Sequence, residues 1–131
     1  MADGWKRRAL RVGFGIVLAL EVLGMLLGGS AKFTAAAWWS ARFTEWGYPD
    51  GFSYVIGGIE MLAAVLLLVP AWAAYAASVL IVVMVSALIT VLVHPGDPTA
   101  DGPIVHLVLL AIILAVRWQR RWRPGGSDPT G

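Results

Sequence analysis

Apolar positions fall along this chain in four runs, at residues 9–29, 51–69, 71–94 and 103–118. None shows the two-residue alternation of a half-buried strand, and each approaches the roughly 20 apolar residues needed to cross a hydrocarbon core about 30 Å thick. The last run is the shortest and spans only with Pro103 and Trp118 at opposite interfaces. The pattern predicts an all-α integral membrane protein, a four-transmembrane-helix bundle with one membrane domain over residues 12–118. Between the first two runs, Ala35, Trp39, Phe43 and Trp46 recur at helical spacing while Ser40, Arg42 and Glu45 project elsewhere. That spacing predicts a short interfacial helix over residues 35–46, lying in the headgroup plane as an anchor or a lid. The turn cluster Gly47-Tyr48-Pro49-Asp50-Gly51 returns the chain to the membrane, and the connection at Pro70-Ala71-Trp72 makes the second and third helices antiparallel neighbours.

Composition fits the lipid setting: 59% of residues are hydrophobic and 14% charged, with a mean hydropathy of +0.76. The chain has no cysteine, which excludes disulfides, thiolate redox pairs and sulfur-ligated metal sites. The first run resembles a secretory signal in its basic leader, but its length, Glu21 and the lack of a small-x-small cleavage site mark it as a span.

Basic residues decide the orientation. Lys6, Arg7, Arg8 and Arg11 lie in an N-terminus of residues 1–11, and Arg117, Arg120, Arg121 and Arg123 lie at the other end. Lys and Arg are enriched on the cytoplasmic side, so both termini are expected in the cytoplasm, as in a multi-pass protein of the bacterial inner (plasma) membrane. Residues 119–131 read as a basic, then disordered, cytoplasmic tail. Basic charge split between two termini is what orientation requires, and nucleic acid is not expected as a partner.

Candidate chemistry begins at Glu60, a carboxylate at the middle of the second run. An acidic group at the bilayer centre costs roughly 2.5 to 3.5 kcal/mol even on the milder insertion scale, so it faces a protein interior or a cavity. At about 1.5 Å per residue, Glu21 lies roughly 16 Å above Leu10 and Glu60 roughly 12 Å below Phe52, at nearly the same height. The two are expected to share one pocket, where two carboxylates cannot both ionise cheaply and one serves as a general acid. The alternative is that each is protonated and joins helices through a hydrogen bond. Gly24, Gly28, Gly57, Ala63 and Ala64 surround them at helical spacing, and Gly24-Met25-Leu26-Leu27-Gly28 has the small-xxx-small form of a helix-packing face.

Further ligand contacts are expected from His94 and His106 near the outer boundary, from Tyr54, Ser86 and Thr90 as partners of the carboxylates, and from Trp46 of the lid. Lys32 reads as a snorkelling interfacial cation, with the counter-charge for an anionic ligand head as the alternative. No Glu-x-x-His or His-x-x-x-His pair is present, and no metal or cofactor is expected.

The segments Gly29-Ser30-Ala31-Lys32-Phe33, Trp46-Gly47-Tyr48-Pro49 and Gly57-Gly58-Ile59-Glu60, with His94 closing the third run, resemble the DoxX-like family of small four-helix bacterial membrane proteins. The resemblance extends from Arg8 to Trp118 and implies a four-helix bundle. In some members it also implies association with quinone-linked oxidoreductases, such as thiosulfate:quinone oxidoreductase, or with oxidative-stress complexes. Glu21 departs from the mostly apolar first helix of such a bundle.

Two functions are therefore weighed. One is a protein that binds a lipophilic small molecule (terpenoid, prenyl or quinone-like) in an intramembrane pocket, using Glu60 and Glu21 for acid-base isomerisation or epoxide-opening cyclisation. The other is a non-catalytic membrane subunit that docks a redox partner protein. Self-association as a homo-oligomer is considered through the face of Ala73, Ala77 and Ser78.

Overall fold

The computed structural model describes residues 2–96 and 98–121; Asp97 and the predicted disordered tail beyond residue 121 lie outside them. Five helices make up the chain in the order α1 (Ala2–Thr34), α2 (Ala36–Glu45), α3 (Phe52–Leu66), α4 (Ala73–Val93) and α5 (Asp101–Arg121). Among the described residues there is no strand. Three helices, α1, α4 and α5, are long and apolar enough to cross a membrane, while α3 is apolar but shorter, about 22 Å over its 15 residues.

The helix ends differ from expectation for local reasons. The basic leader continues α1 as helix instead of preceding it, and α1 passes Gly29 to reach Thr34. No proline interrupts residues 1–34, and Ala35 N–H still donates to the Ala31 carbonyl at 2.7 Å. The α2–α3 reversal depends on Gly47 and Gly51, with φ of 87° and 82°, values that side chains with a Cβ rarely adopt. α3 stops at Leu66, and Leu68 and Val69 donate to carbonyls three residues back. Pro70 enforces that ending, because it lacks an N–H and disfavours helical geometry at Val69.

In the bundle, α1 packs on α3 and α5, and α4 packs on α5 and α3, which closes a ring of four. Its core centres on Met25, Leu67, Leu80, Leu110 and Ile113. Ala76 and Ala77 belong to this core, and Ala73 is fully buried. Of the face considered for self-association, Ala73 and Ala77 are thus used within the bundle, where small side chains let α4 approach its neighbours, while Ser78 is exposed. Leu20, Leu23, Leu27, Leu62 and Ile112 all point outward, an apolar exterior suited to lipid and unsuited to water.

The closest approach joins α1 to α3. A Cβ built on Gly57 would lie 2.8 Å from the Gly29 carbonyl oxygen, and one on Gly29 would lie 2.9 Å from that of Gly57. The two backbones touch here, and this contact sets the register between the helices.

Candidate functional site

Along one face of α1, Glu21, Gly24, Gly28 and Lys32 follow one another at spacings of three and four residues, so they form a single stripe. Each glycine on that stripe makes room for a polar side chain from another helix. A Cβ on Gly24 would meet His106 Cε1 at 2.8 Å, and one on Gly28 would lie 3.7 Å from Glu60 Oε2. The Gly24-to-Gly28 segment thus accommodates site side chains, whereas helix-to-helix backbone contact occurs at Gly29.

The stripe organises two polar pairs. Glu60, 3% exposed, receives Lys32, 6% exposed. Lys32 Nζ lies 3.0 Å from Oε1 and 3.2 Å from Oε2. The same ammonium reaches the Gly28 carbonyl at 3.4 Å and sits 4.4 Å from the centre of the Trp39 ring on α2, a favourable placement over an aromatic face. Lys32 therefore does not snorkel. It turns inward because Glu60, one turn from the Gly57 crossing, offers it a buried counter-charge.

The second pair lies about two turns back along α1. Glu21, fully buried, meets His106 Nδ1 at 2.8 Å through Oε2. Its Oε1 has no hydrogen-bond partner among the described residues. A carboxylate on Nδ1 orients the ring and favours a proton there, leaving Nε2 as the second polar atom of the imidazole.

Equal depth of the two glutamates does not hold. Glu60 is level with Gly28, seven residues and about 10 Å beyond Glu21 along α1. The expectation took Leu10 and Phe52 as opposite membrane faces, but the Gly29–Gly57 crossing places Phe52 near the level of Thr34, which sits well beyond the anticipated end of α1. Each glutamate consequently has its own cationic or imidazole partner, and they do not form a carboxylate pair.

Inside the ring is a cavity of about 520 Å³, lined by Gly24, Met25 and Gly28 of α1, Ile56 and Glu60 of α3, Val83, Met84 and Ala87 of α4, and His106 of α5. Lys32, Ser86 and Thr90 also line it, and Trp39, Phe43, Trp46, Tyr48 and Phe52 cover one end beside Pro98, Thr99, Gly102 and Pro103. Its volume falls in the range of small-molecule sites. Glu21 is not on the wall; it lies behind His106.

Aromatic residues hold the cover together. Phe43 is 5.4 Å from the rings of both Trp46 and Tyr48, and Tyr48 stacks on Phe52 at 5.1 Å. Thr90 donates to the Ser86 carbonyl at 2.8 Å, so Tyr48 donates its hydroxyl proton to Thr90 Oγ1 at 2.7 Å and fastens the cover to α4. Tyr48→Phe is expected to destabilise by about 1 kcal/mol and to speed proteolysis in the 46–51 turn. An unchanged cleavage rate would show that the aromatic packing alone holds the cover.

Not every expected contact is at the cavity. His94 is exposed, with Nδ1 3.1 Å from the Thr90 carbonyl, and Tyr54 is exposed against Phe33 at 5.5 Å. Neither lines the cavity. Ser86 donates to the Val82 carbonyl at 2.9 Å, and Thr90 serves Tyr48, so neither hydroxyl partners a carboxylate. Trp39, Phe43, Tyr48 and Phe52 are cavity residues that the sequence did not assign, although the density of aromatics between residues 38 and 54 was a signal for them.

Comparison with curated proteins and with solved structures gives no match. A family model does match, over residues 16–116, a stretch that contains Glu21, Lys32, Glu60 and His106 and all but the first turns of α1 and the last of α5. On that extent of agreement, and with three helices of membrane-spanning length, the chain belongs to the DoxX-like family of membrane proteins.

Proposed function

We propose that this protein binds a lipophilic small molecule of terpenoid, prenyl or quinone-like character in the cavity and acts on it by acid-base chemistry. The observation that carries the reading is a mostly apolar chamber into which a buried Glu60–Lys32 pair and an imidazole backed by Glu21 are brought. His106 is the proton donor: protonated, it is stabilised by Glu21 and gives its proton to an epoxide oxygen or alkene carbon of the bound molecule. Glu60 accepts the proton released when the rearranged skeleton collapses to product, and Lys32 holds that carboxylate in place. Glu21 acts through His106 as a positioning residue.

This reading sets the chain as four spans of the bacterial inner membrane with both termini cytoplasmic, supported by the basic residues at the two ends. In it α3 crosses with the turn of residues 67–69 completing its length, and α2 lies at the outer interface as the lid. Purified protein supplied with epoxidised and unsaturated prenyl lipids is expected to form product detectable by mass spectrometry. Glu60→Gln and His106→Gln are each expected to cut that product by about a hundredfold, with melting temperature reporting that each variant is folded. Turnover that survives both changes removes these residues from the mechanism.

One observation favours a second reading. Both buried carboxylates already have partners, so the pairs can serve assembly alone, as in a non-catalytic membrane subunit that docks a quinone-linked oxidoreductase. Copurification of such an enzyme, with no lipid turned over, would favour it.

A further inference from the structure

We propose that Lys32 is a carbonyl-condensing site, forming a protonated Schiff base with a lipophilic aldehyde held in the cavity and keeping Glu60 as its counter-ion. The inference rests on the reading of the cavity as a lipophile site, and adds a chemical class of ligand and the atom that bonds it.

Lys32 is a primary amine on the wall of a mostly apolar chamber, almost fully shielded from solvent. Its Nζ is held by both Glu60 oxygens, the Gly28 carbonyl and the Trp39 ring face. A shielded amine beside a proton acceptor can give up a proton and present its lone pair to a carbonyl carbon. Charge conservation singles out this chemistry. Acylation of Nζ would erase the cation and leave Glu60 buried without a partner, a costly state. An iminium retains the positive charge at the same nitrogen, so the carboxylate and the Trp39 face still have a cation to stabilise.

The step balances within the pair. A proton passes from Nζ to Glu60, and the freed lone pair attacks the carbonyl carbon. A C–N bond forms while an N–H proton moves to the carbonyl oxygen, which gives a neutral carbinolamine. Glu60 then returns its proton to that hydroxyl, the C–O bond breaks and water leaves. The products are an iminium on Lys32 and an ionised Glu60, with no change of oxidation state.

Lys6 and Lys32 are the two lysines of the chain, and Lys6 is exposed, so it serves as an internal control for unassisted reaction. Purified protein incubated with decanal and reduced with borohydride is expected to carry a secondary amine on Lys32, located by peptide mass spectrometry. Because the cavity holds carbonyl and amine together, labelling at Lys32 should exceed that at Lys6 by at least about tenfold. Excess decan-1-ol, which fills the cavity without condensing, should suppress labelling at Lys32 and spare Lys6. Lys32→Arg keeps a cation opposite Glu60 and should remove the internal label. Equal labelling of the two lysines, or labelling of Lys32 that decan-1-ol does not suppress, overturns the proposal. If decan-1-ol raises the melting temperature and Lys32 is still unlabelled, condensation is wrong and the cavity reading stands. If decan-1-ol produces no shift and Lys32 is unlabelled, both fall.

Discussion

Lys32→Met is expected to destabilise the folded bundle by about 3 to 5 kcal/mol, because it strands the Glu60 carboxylate in a low-dielectric interior. Glu60 is 3% exposed, and Lys32 Nζ reaches its two oxygens almost equally, at 3.0 and 3.2 Å. The size of the effect belongs to the unpaired charge and not to the pair itself. A double variant, Lys32→Met with Glu60→Leu, should therefore recover most of the loss, since replacing a buried ion pair by apolar side chains of similar volume is often neutral or stabilising. Thermal melting of the three proteins in one detergent checks both statements. A double variant as unstable as Lys32→Met would mean that the lost Trp39 contact, and not a stranded charge, dominates. A stable double variant would also show that the pair is dispensable for folding, which directs attention to what it does in the cavity.

The all-helical class was readable because lipid imposes it, while the second run formed a helix shorter than a full span. Backbone polar groups in hydrocarbon must be bonded within the segment, so long apolar runs become helices regardless of individual propensities. The same rule explains why α1 continues through Gly28, Gly29 and Ser30, past the end of the apolar run at residue 29. Charge pairing was not readable. Which cation meets Glu60 depends on the register of α1 against α3, and that register is set by a contact between two glycine backbones, Gly29 and Gly57. Depth counted from assumed membrane faces placed Glu21 opposite Glu60 and left Lys32 outside. The stripe Glu21, Gly24, Gly28, Lys32 was nonetheless present at spacings of three and four, and read as a single face it would have put a lysine, not a second carboxylate, at the far end of the site from Glu21. The His106–Glu21 pair spans 85 residues of sequence separation, and nothing local in either helix marks the other as its partner. Cover residues were partly legible: the spacing of Trp39, Phe43 and Trp46 grouped them on one face without assigning it to a cavity, while Tyr48 and Phe52 belong to a turn and a helix start where no periodicity operates.

Because that glycine contact sets the register of Lys32 against Glu60, Gly57→Ala is the second substitution with a large expected effect. The new Cβ would sit 2.8 Å from the Gly29 carbonyl oxygen and 3.0 Å from both Lys32 Cβ and Phe33 Cε2. A backbone oxygen cannot rotate away as a flexible side chain would, so α1 and α3 must separate. Overpacking of this kind costs about 1 to 3 kcal/mol, and the separation also lengthens the Lys32–Glu60 contact one turn further along, which makes the total larger than overpacking alone. Gly58→Ala is the matched control. A Cβ there meets nothing within 4 Å, and alanine is preferred over glycine in a helix interior by up to about 1 kcal/mol. The neighbouring substitutions should therefore move the melting temperature in opposite directions, Gly57→Ala downward and Gly58→Ala level or upward. Gly57→Ala should also make Lys32 more reactive toward a water-soluble amine reagent, as its ion pair loosens. If both variants melt alike and Lys32 stays protected, α1 and α3 do not meet at Gly29 and Gly57, and the placement of Lys32 opposite Glu60 loses its structural basis.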